Sequence, residues 1–217
     1  MKHKSIDLES EVKRATLPEG LQGFLFPLFE AVSNSFHSME ERWGEEVEEK
    51  GRIEIEFAVD GQEILIADNG VGFDEKNLGA FLTPLTGNKY ERGGKGFGRF
   101  IAFKIFREVF YSSQQIGLDG GLSGGSFRYD PFAIDDNLIA ISPNIGPGAH
   151  RFDTGLTVLL RSPQLESTSF FNLEKNFSSK EDIQEELSSE LLSHFLIEFI
   201  QRKVPKNFFF GNSGSVT

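Results

Sequence analysis

The sequence predicts an α+β domain with helices on one face of a mixed, mostly antiparallel sheet, and three patterns lead to that reading. Apolar residues recur at helical spacing from Leu21 to Met39. Ile53, Ile55 and Phe57 alternate with Glu54 and Glu56, the period of a half-buried strand. Several short strand candidates then follow a second apolar helix, separated by Gly- and Pro-rich intervals.

Taken in order, residues 1–20 are polar and weakly patterned, and read as a short helix or an arm packing on a partner. The helix from Leu21 carries Leu25, Leu28, Phe29, Val32, Phe36 and Met39 at spacings of 3, 4 and 7. Pro27 falls near its first turn, where a missing N–H is tolerated. The acidic run from Glu40 to Lys50 reads as a solvated helix end. Asp60-Gly61 suits the tight turn of a hairpin whose returning strand, Gln62 to Ala67, runs into Asp68-Asn69-Gly70-Val71-Gly72-Phe73. A short helix is expected over Glu75–Leu82, a loop over Thr83–Phe97, and a helix over Gly98–Arg107. Strands are expected at Glu108–Ser112, Ser126–Asp130, Leu138–Ser142 and Gly155–Arg161, with loops at Gly117–Gly125 and Pro143–Gly148. Asp182–Lys203 reads as a final amphipathic helix.

Composition narrows the functional classes. The 217 residues divide into an arm (1–20), a core (21–165), and a C-terminal helix and tail (166–217). The apolar end, Asn207-Phe208-Phe209-Phe210-Gly211, reads as a surface left for a further domain or partner. With no Cys, disulfides and thiolate metal sites are excluded. A net charge of −11 argues against direct nucleic-acid binding, which usually needs a basic face to displace counterions. Lys2, His3 and Lys4 have no apolar run behind them, so no signal peptide is expected, and no stretch approaches the ~20 apolar residues of a membrane span. A cytoplasmic chain is the expectation. The 23 Phe residues read as an aromatic core.

Four short segments carry chemistry. Glu30 and Asn34 lie at i and i+4 and project from one helix face. An Asn carbonyl is a neutral hard ligand for Mg²⁺, and a carboxylate one turn earlier can orient and deprotonate a water attacking a phosphate. By itself such a pair is ordinary helix-surface decoration. Asp68 follows the apolar strand Ile64-Leu65-Ile66-Ala67, placed to accept a hydrogen bond from an adenine amino group, with Gly70 and Gly72 allowing backbone to approach a flat ring. Asp-Asn-Gly is equally good chemistry for a plain turn. Gly93-Gly94-Lys95-Gly96-Phe97-Gly98-Arg99 opens a helix, offering free N–H groups and two cations to an anion. It matches neither the P-loop nor the dinucleotide fingerprint. Thr157, in Thr154-Gly155-Leu156-Thr157, has a hydroxyl for a base or its waters, and reads otherwise as a strand start.

In this order the segments resemble the GHKL ATPase superfamily: type II topoisomerase B subunits, large heat-shock chaperones, sensor histidine kinases and MutL-type mismatch-repair ATPases. The resemblance spans Leu21 to Arg161. It implies a Bergerat fold, a two-layer α/β sandwich, and an Mg²⁺-dependent ATPase with Glu30 as general base and Asn34 as metal ligand. Asp68 would hold the adenine amino group and Gly72 would line the base. Thr83–Phe97 would form a mobile lid, with Gly94, Lys95, Gly96, Phe97, Gly98 and Arg99 around the phosphates and Lys89 presented toward the nucleotide. ATP binding would favour a homodimer or partner engagement. Two departures stand out: His37-Ser38 replaces the family's usual Asp-Ala, and Gly155-Leu156 replaces Gly-Thr. Two other readings share the motifs. One is a nucleotide sensor that does not hydrolyse ATP. The other is a histidine kinase catalytic domain, disfavoured because the only upstream His is His3.

Overall fold

The computed structural model describes residues 8–58, 63–73, 75–82, 98–117, 120–132, 139–141, 151–167, 170–201 and 207–211. The chain opens with helix α1 (Leu8–Arg14), which packs Val12 into the core, followed by α2 (Gly20–Phe24). The long helix α3 (Phe26–Trp43) has Pro27 in its first turn and ends at Gly44. Its buried residues Leu28, Phe29, Val32, Phe36 and Met39 are the apolar stripe of the sequence. The acidic run that follows is a 3-10 turn, Gly44–Glu46, and the single turn α4 (Val47–Lys50).

Strand β1 (Arg52–Ala58) pairs antiparallel with β2 (Glu63–Asp68) in the expected hairpin register, Ala58 opposite Glu63 and Ile53 opposite Asp68. The Asp60-Gly61 turn lies outside the described residues. Helix α5 (Glu75–Leu82) matches its expected span. The expected helix over Gly98–Arg107 is corrected: α6 covers Gly98–Ile101, a 3-10 turn covers Ala102–Lys104, and β3 (Phe106–Ile116) has begun before Arg107. An apolar run buried throughout reads alike as helix or strand, so periodicity gave no boundary. Strand β4 (Leu122–Tyr129) also starts earlier than expected, because Leu122–Gly125 pairs along β3 and is not loop. Strands β5 (Ile139–Ile141) and β6 (Gly155–Pro163) follow, while Pro143–Gly148 lies outside the described residues.

The C-terminal part belongs to the same body. Helix α7 (Leu173–Asn176) leads to α8 (Lys180–His194), whose N-cap Ser179 accepts the Asp182 N–H at 3.1 Å. The single expected helix breaks at Phe195 before α9 (Leu196–Gln201). Leu173, Ile183, Leu187, Leu191 and Phe195 pack into the core with Phe36 and Ile55, so no boundary at residue 165 separates two cores. The apolar tail is a strand, β7 (Asn207–Gly211), parallel to β1. It borders the sheet beside β1.

The strand order is β5-β4-β3-β6-β2-β1-β7, antiparallel except for the β1–β7 pair. Ile53, Ile55, Ile64, Ile66, Val109, Tyr111, Val158 and Leu160 face the helices in one continuous core. The opposite face carries a smaller cluster, Leu65, Ala67 and Leu159 under Phe110 and Phe152. Two ion pairs flank it, Arg151 with Glu56 and Arg161 with Glu63, each at 2.6 Å. Among the described residues no helix is long and apolar enough to cross a membrane.

Candidate functional site

Helix α3 links the segments singled out by the sequence. Glu30, Asn34 and Ser38 follow at four-residue steps and share a stripe that rises about 12 Å along the helix axis. At one end the carboxyl group of half-buried Glu30 packs on Gly98, where a β-carbon would fall 1.8 Å from Glu30 Oε2. At the other end Ser38 Oγ accepts the Val71 N–H at 3.1 Å, and a β-carbon on Gly70 would stand 2.1 Å from that oxygen. Asn34 lies between them on the stripe and is exposed. One helix therefore meets both the strand-end glycines and the start of α6.

Asp68 closes β2 with 3% of its surface exposed. Ser35 Oγ donates to its Oδ2 at 2.8 Å, the Gly70 N–H donates to Oδ1 at 2.8 Å, and the Leu156 N–H reaches Oδ1 at 3.4 Å. Burial pushes the Asp68 carboxyl up to about 6, against the pull of these three hydrogen bonds and of the Arg42 cation. At neutral pH it is a buried carboxylate. Ser35 occupies one acceptor position of Oδ2, and a carboxylate oxygen has two.

The turn beyond Asp68 is fixed on every side. The Asn69 side chain accepts the Arg52 N–H and donates to the Lys50 carbonyl, both at 2.8 Å. Arg42 Nη1 donates to the Asn69 carbonyl at 2.6 Å, and Thr154 Oγ1 donates to the Gly70 carbonyl at 3.1 Å. Gly72 has φ +72°, and a β-carbon there would meet Gln114 O at 2.6 Å. Any other residue would lift this loop off β3. The Phe73 N–H donates to Ser113 Oγ at 2.6 Å, completing that seam.

The remaining candidates fall elsewhere. Thr157 is opposite Ala67, on the face that carries Leu65 and Leu159, whereas Asp68 faces α3. Thr157 is thus not brought to Asp68. Its place in the seam is taken by the backbone of Leu156. Arg99 lies with its guanidinium over the rings of Phe81 (5.2 Å) and Phe100 (4.4 Å) and shares a hydrogen bond with Tyr129, so it ties α5 and α6 to β4. Helix α6 is a single turn, so its dipole is weaker than a long helix would supply. Lys89, Gly94, Lys95, Gly96 and Phe97 lie outside the described residues. Among the described residues no group of three or more His, Cys, Asp or Glu side chains converges to hold a metal ion. A metal here would draw most of its ligands from elsewhere, such as phosphate oxygens and water.

The sequence reading missed Ser35, Ser38, Arg42 and Asn69. Their signal was available in part: Ser35 and Arg42 stand seven residues apart, two helical turns, on one face. Compared with known proteins, the chain matches no protein-family model and no curated protein.

Proposed function

We propose that this chain is a GHKL-type domain with a Bergerat arrangement of its helices and sheet, and that it binds ATP with Mg²⁺ and hydrolyses it. The observation that carries the reading is the buried carboxylate of Asp68, held by Ser35 from the same helix whose Glu30 packs on Gly98. Three of the four sequence segments thereby meet along one helix, in the family's order.

Each group has a role in that reading. Ionised Asp68 accepts the adenine amino hydrogen through a second acceptor position on Oδ2, and the Gly70–Gly72 backbone lies beside the ring. Asn34 offers its amide oxygen to Mg²⁺, whose charge offsets that of the triphosphate. Glu30 orients and deprotonates the attacking water. Lys89, Gly94, Lys95, Gly96, Phe97 and Gly98 belong to the lid and the phosphate-facing loop. Lid closure would then favour a homodimer or partner engagement. Thr157 has no part in base recognition here, since it faces the other side of the sheet from Asp68.

Calorimetry with ATP, ADP and a non-hydrolysable analogue, run beside a phosphate-release assay, tests the reading. Wild type should bind ATP only with Asp68 intact, and Glu30→Ala should bind with near-normal affinity but lose ~10²–10⁴-fold in turnover. Normal turnover in Glu30→Ala would remove the base assignment. Binding without phosphate release in wild type would make the domain a nucleotide sensor, and no binding at millimolar MgATP would end the nucleotide reading.

A further inference from the structure

We propose that Arg42 is a positioning residue for Asp68: from the last turn of α3 it holds the two carbonyls that follow the aspartate and brings its cation to that strand end. The inference rests on the nucleotide reading above and adds to it what sets the acid limit of binding.

The geometry begins with the seven-residue step between Ser35 and Arg42. Two turns apart, they address the same strand end from one helix face. Ser35 takes Asp68 Oδ2, while Arg42 Nη1 donates to the Asn69 carbonyl at 2.6 Å and reaches the Gly70 carbonyl at 3.5 Å. The guanidinium carbon lies over the neighbouring Trp43 ring, 4.2 Å from its centroid, a cation–π contact that helps hold it in place. Asn69 is already bound through its side chain and its N–H to the Lys50–Arg52 segment, and Arg42 takes its carbonyl.

The charge acts alongside the clamp. The elements packed on Asp68 bring Arg42 and Glu30 from α3, Arg52 from β1 and Asp153 from the segment before β6. Glu30 lies against Gly98, and the Arg52 guanidinium is taken by the carbonyls of Glu49 and Gly51. Among the described residues Arg42 is the cation that favours the Asp68 anion, by less than burial opposes it and less than each of the three hydrogen bonds, and Asp153 attracts Arg42. Burial opposes the Asp68 anion, so losing this cation shifts the balance toward the protonated acid.

The test is a carbon-13 NMR titration of the Asp side-chain carboxyls, with Asp68→Asn assigning the Asp68 signal, in wild type, R42M, R42Q and R42K. R42M and R42Q remove the charge and should raise the Asp68 midpoint, the direction in which burial already pushes it. R42K keeps a cation and should move it less. R42Q retains an amide donor for the carbonyls, so it answers for the charge even where R42M fails to fold. Fluorescent-ATP binding from pH 5.5 to about pH 8.5 should show the acid limb of R42Q rising with the carboxyl. An unchanged Asp68 midpoint in folded R42Q, or an equal shift in R42K and R42Q, overturns the proposal. Because the titration uses no nucleotide, a wild type that ignores ATP removes the nucleotide reading and leaves this result to stand or fall alone.

Discussion

Gly98 stands so close to Glu30 that a β-carbon on it would fall 1.8 Å from Oε2, 2.3 Å from Cδ and 2.9 Å from Cγ. A glycine at the start of α6 thus sets where the Glu30 carboxyl group can lie. Gly98→Ala should displace that carboxyl group while disturbing little else, because the obstructing atoms are the far end of a flexible side chain. With Glu30 as the proposed base, the expected outcome is a drop in phosphate release of about tenfold or more, against a stability change of about 1 kcal/mol. Parallel phosphate-release and thermal-melt measurements check it. A loss of turnover matched by wholesale unfolding would show that Gly98 serves the fold and not the carboxylate.

The buried Asp68 carboxyl predicts an unusual pH dependence of stability. Its folded value is raised to about 6 from an ordinary 3.8, so between these values the folded state binds more protons than the unfolded chain. Stability from this group is therefore greatest at acid pH, declines as pH rises through the window, and is at its minimum above about pH 6. The span corresponds to about 3 kcal/mol. Denaturant unfolding of wild type and Asp68→Asn from pH 4 to about pH 7.5 isolates the group: the difference should shift in favour of Asp68→Asn as pH rises. On the proposed nucleotide reading, affinity would run the other way, falling below about pH 6 as the acceptor is protonated. A flat difference between the two proteins would contradict the burial argument.

Gly155 supplies a third outcome. Its φ is +129°, and a β-carbon would stand 1.8 Å from the Asp68 carbonyl oxygen and 2.7 Å from its carbon. Here the obstacle is backbone, which has no rotamer to yield. Gly155→Ala should cost about 3 kcal/mol or more and leave little folded protein, as read by far-ultraviolet circular dichroism and denaturant titration. A melting temperature near that of wild type would show that β2 and β6 can separate at this point.

How far the sequence disclosed this architecture depended on whether a signal was local. Helix α3 and the β1–β2 hairpin were legible because one long apolar period and one strict alternation each admit a single reading. Asp68 was legible because an uninterrupted apolar strand ends there in a glycine-rich turn. The helix-to-strand change near Ile105 was not, since both elements bury the same Phe- and Ile-rich run. Thr157 failed by parity: its register opposite Ala67 is a long-range fact, and one residue of offset turns a side chain to the other face. Ser35, Ser38 and Arg42 were passed over because polar residues on a helix suggest solvent, while here they meet a polar strand end.

The pairing of β7 with β1 joins the last described segment, Asn207–Gly211, to one far earlier in the chain, Arg52–Glu56. Contacts so distant in sequence carry a large loop-closure entropy and form late in folding. Until that ribbon docks, the outer rim of β1 presents bare amide and carbonyl groups, a template for neighbouring molecules. Slow docking, crowded expression and premature proteolytic clipping would therefore all favour precipitation from the same exposed border.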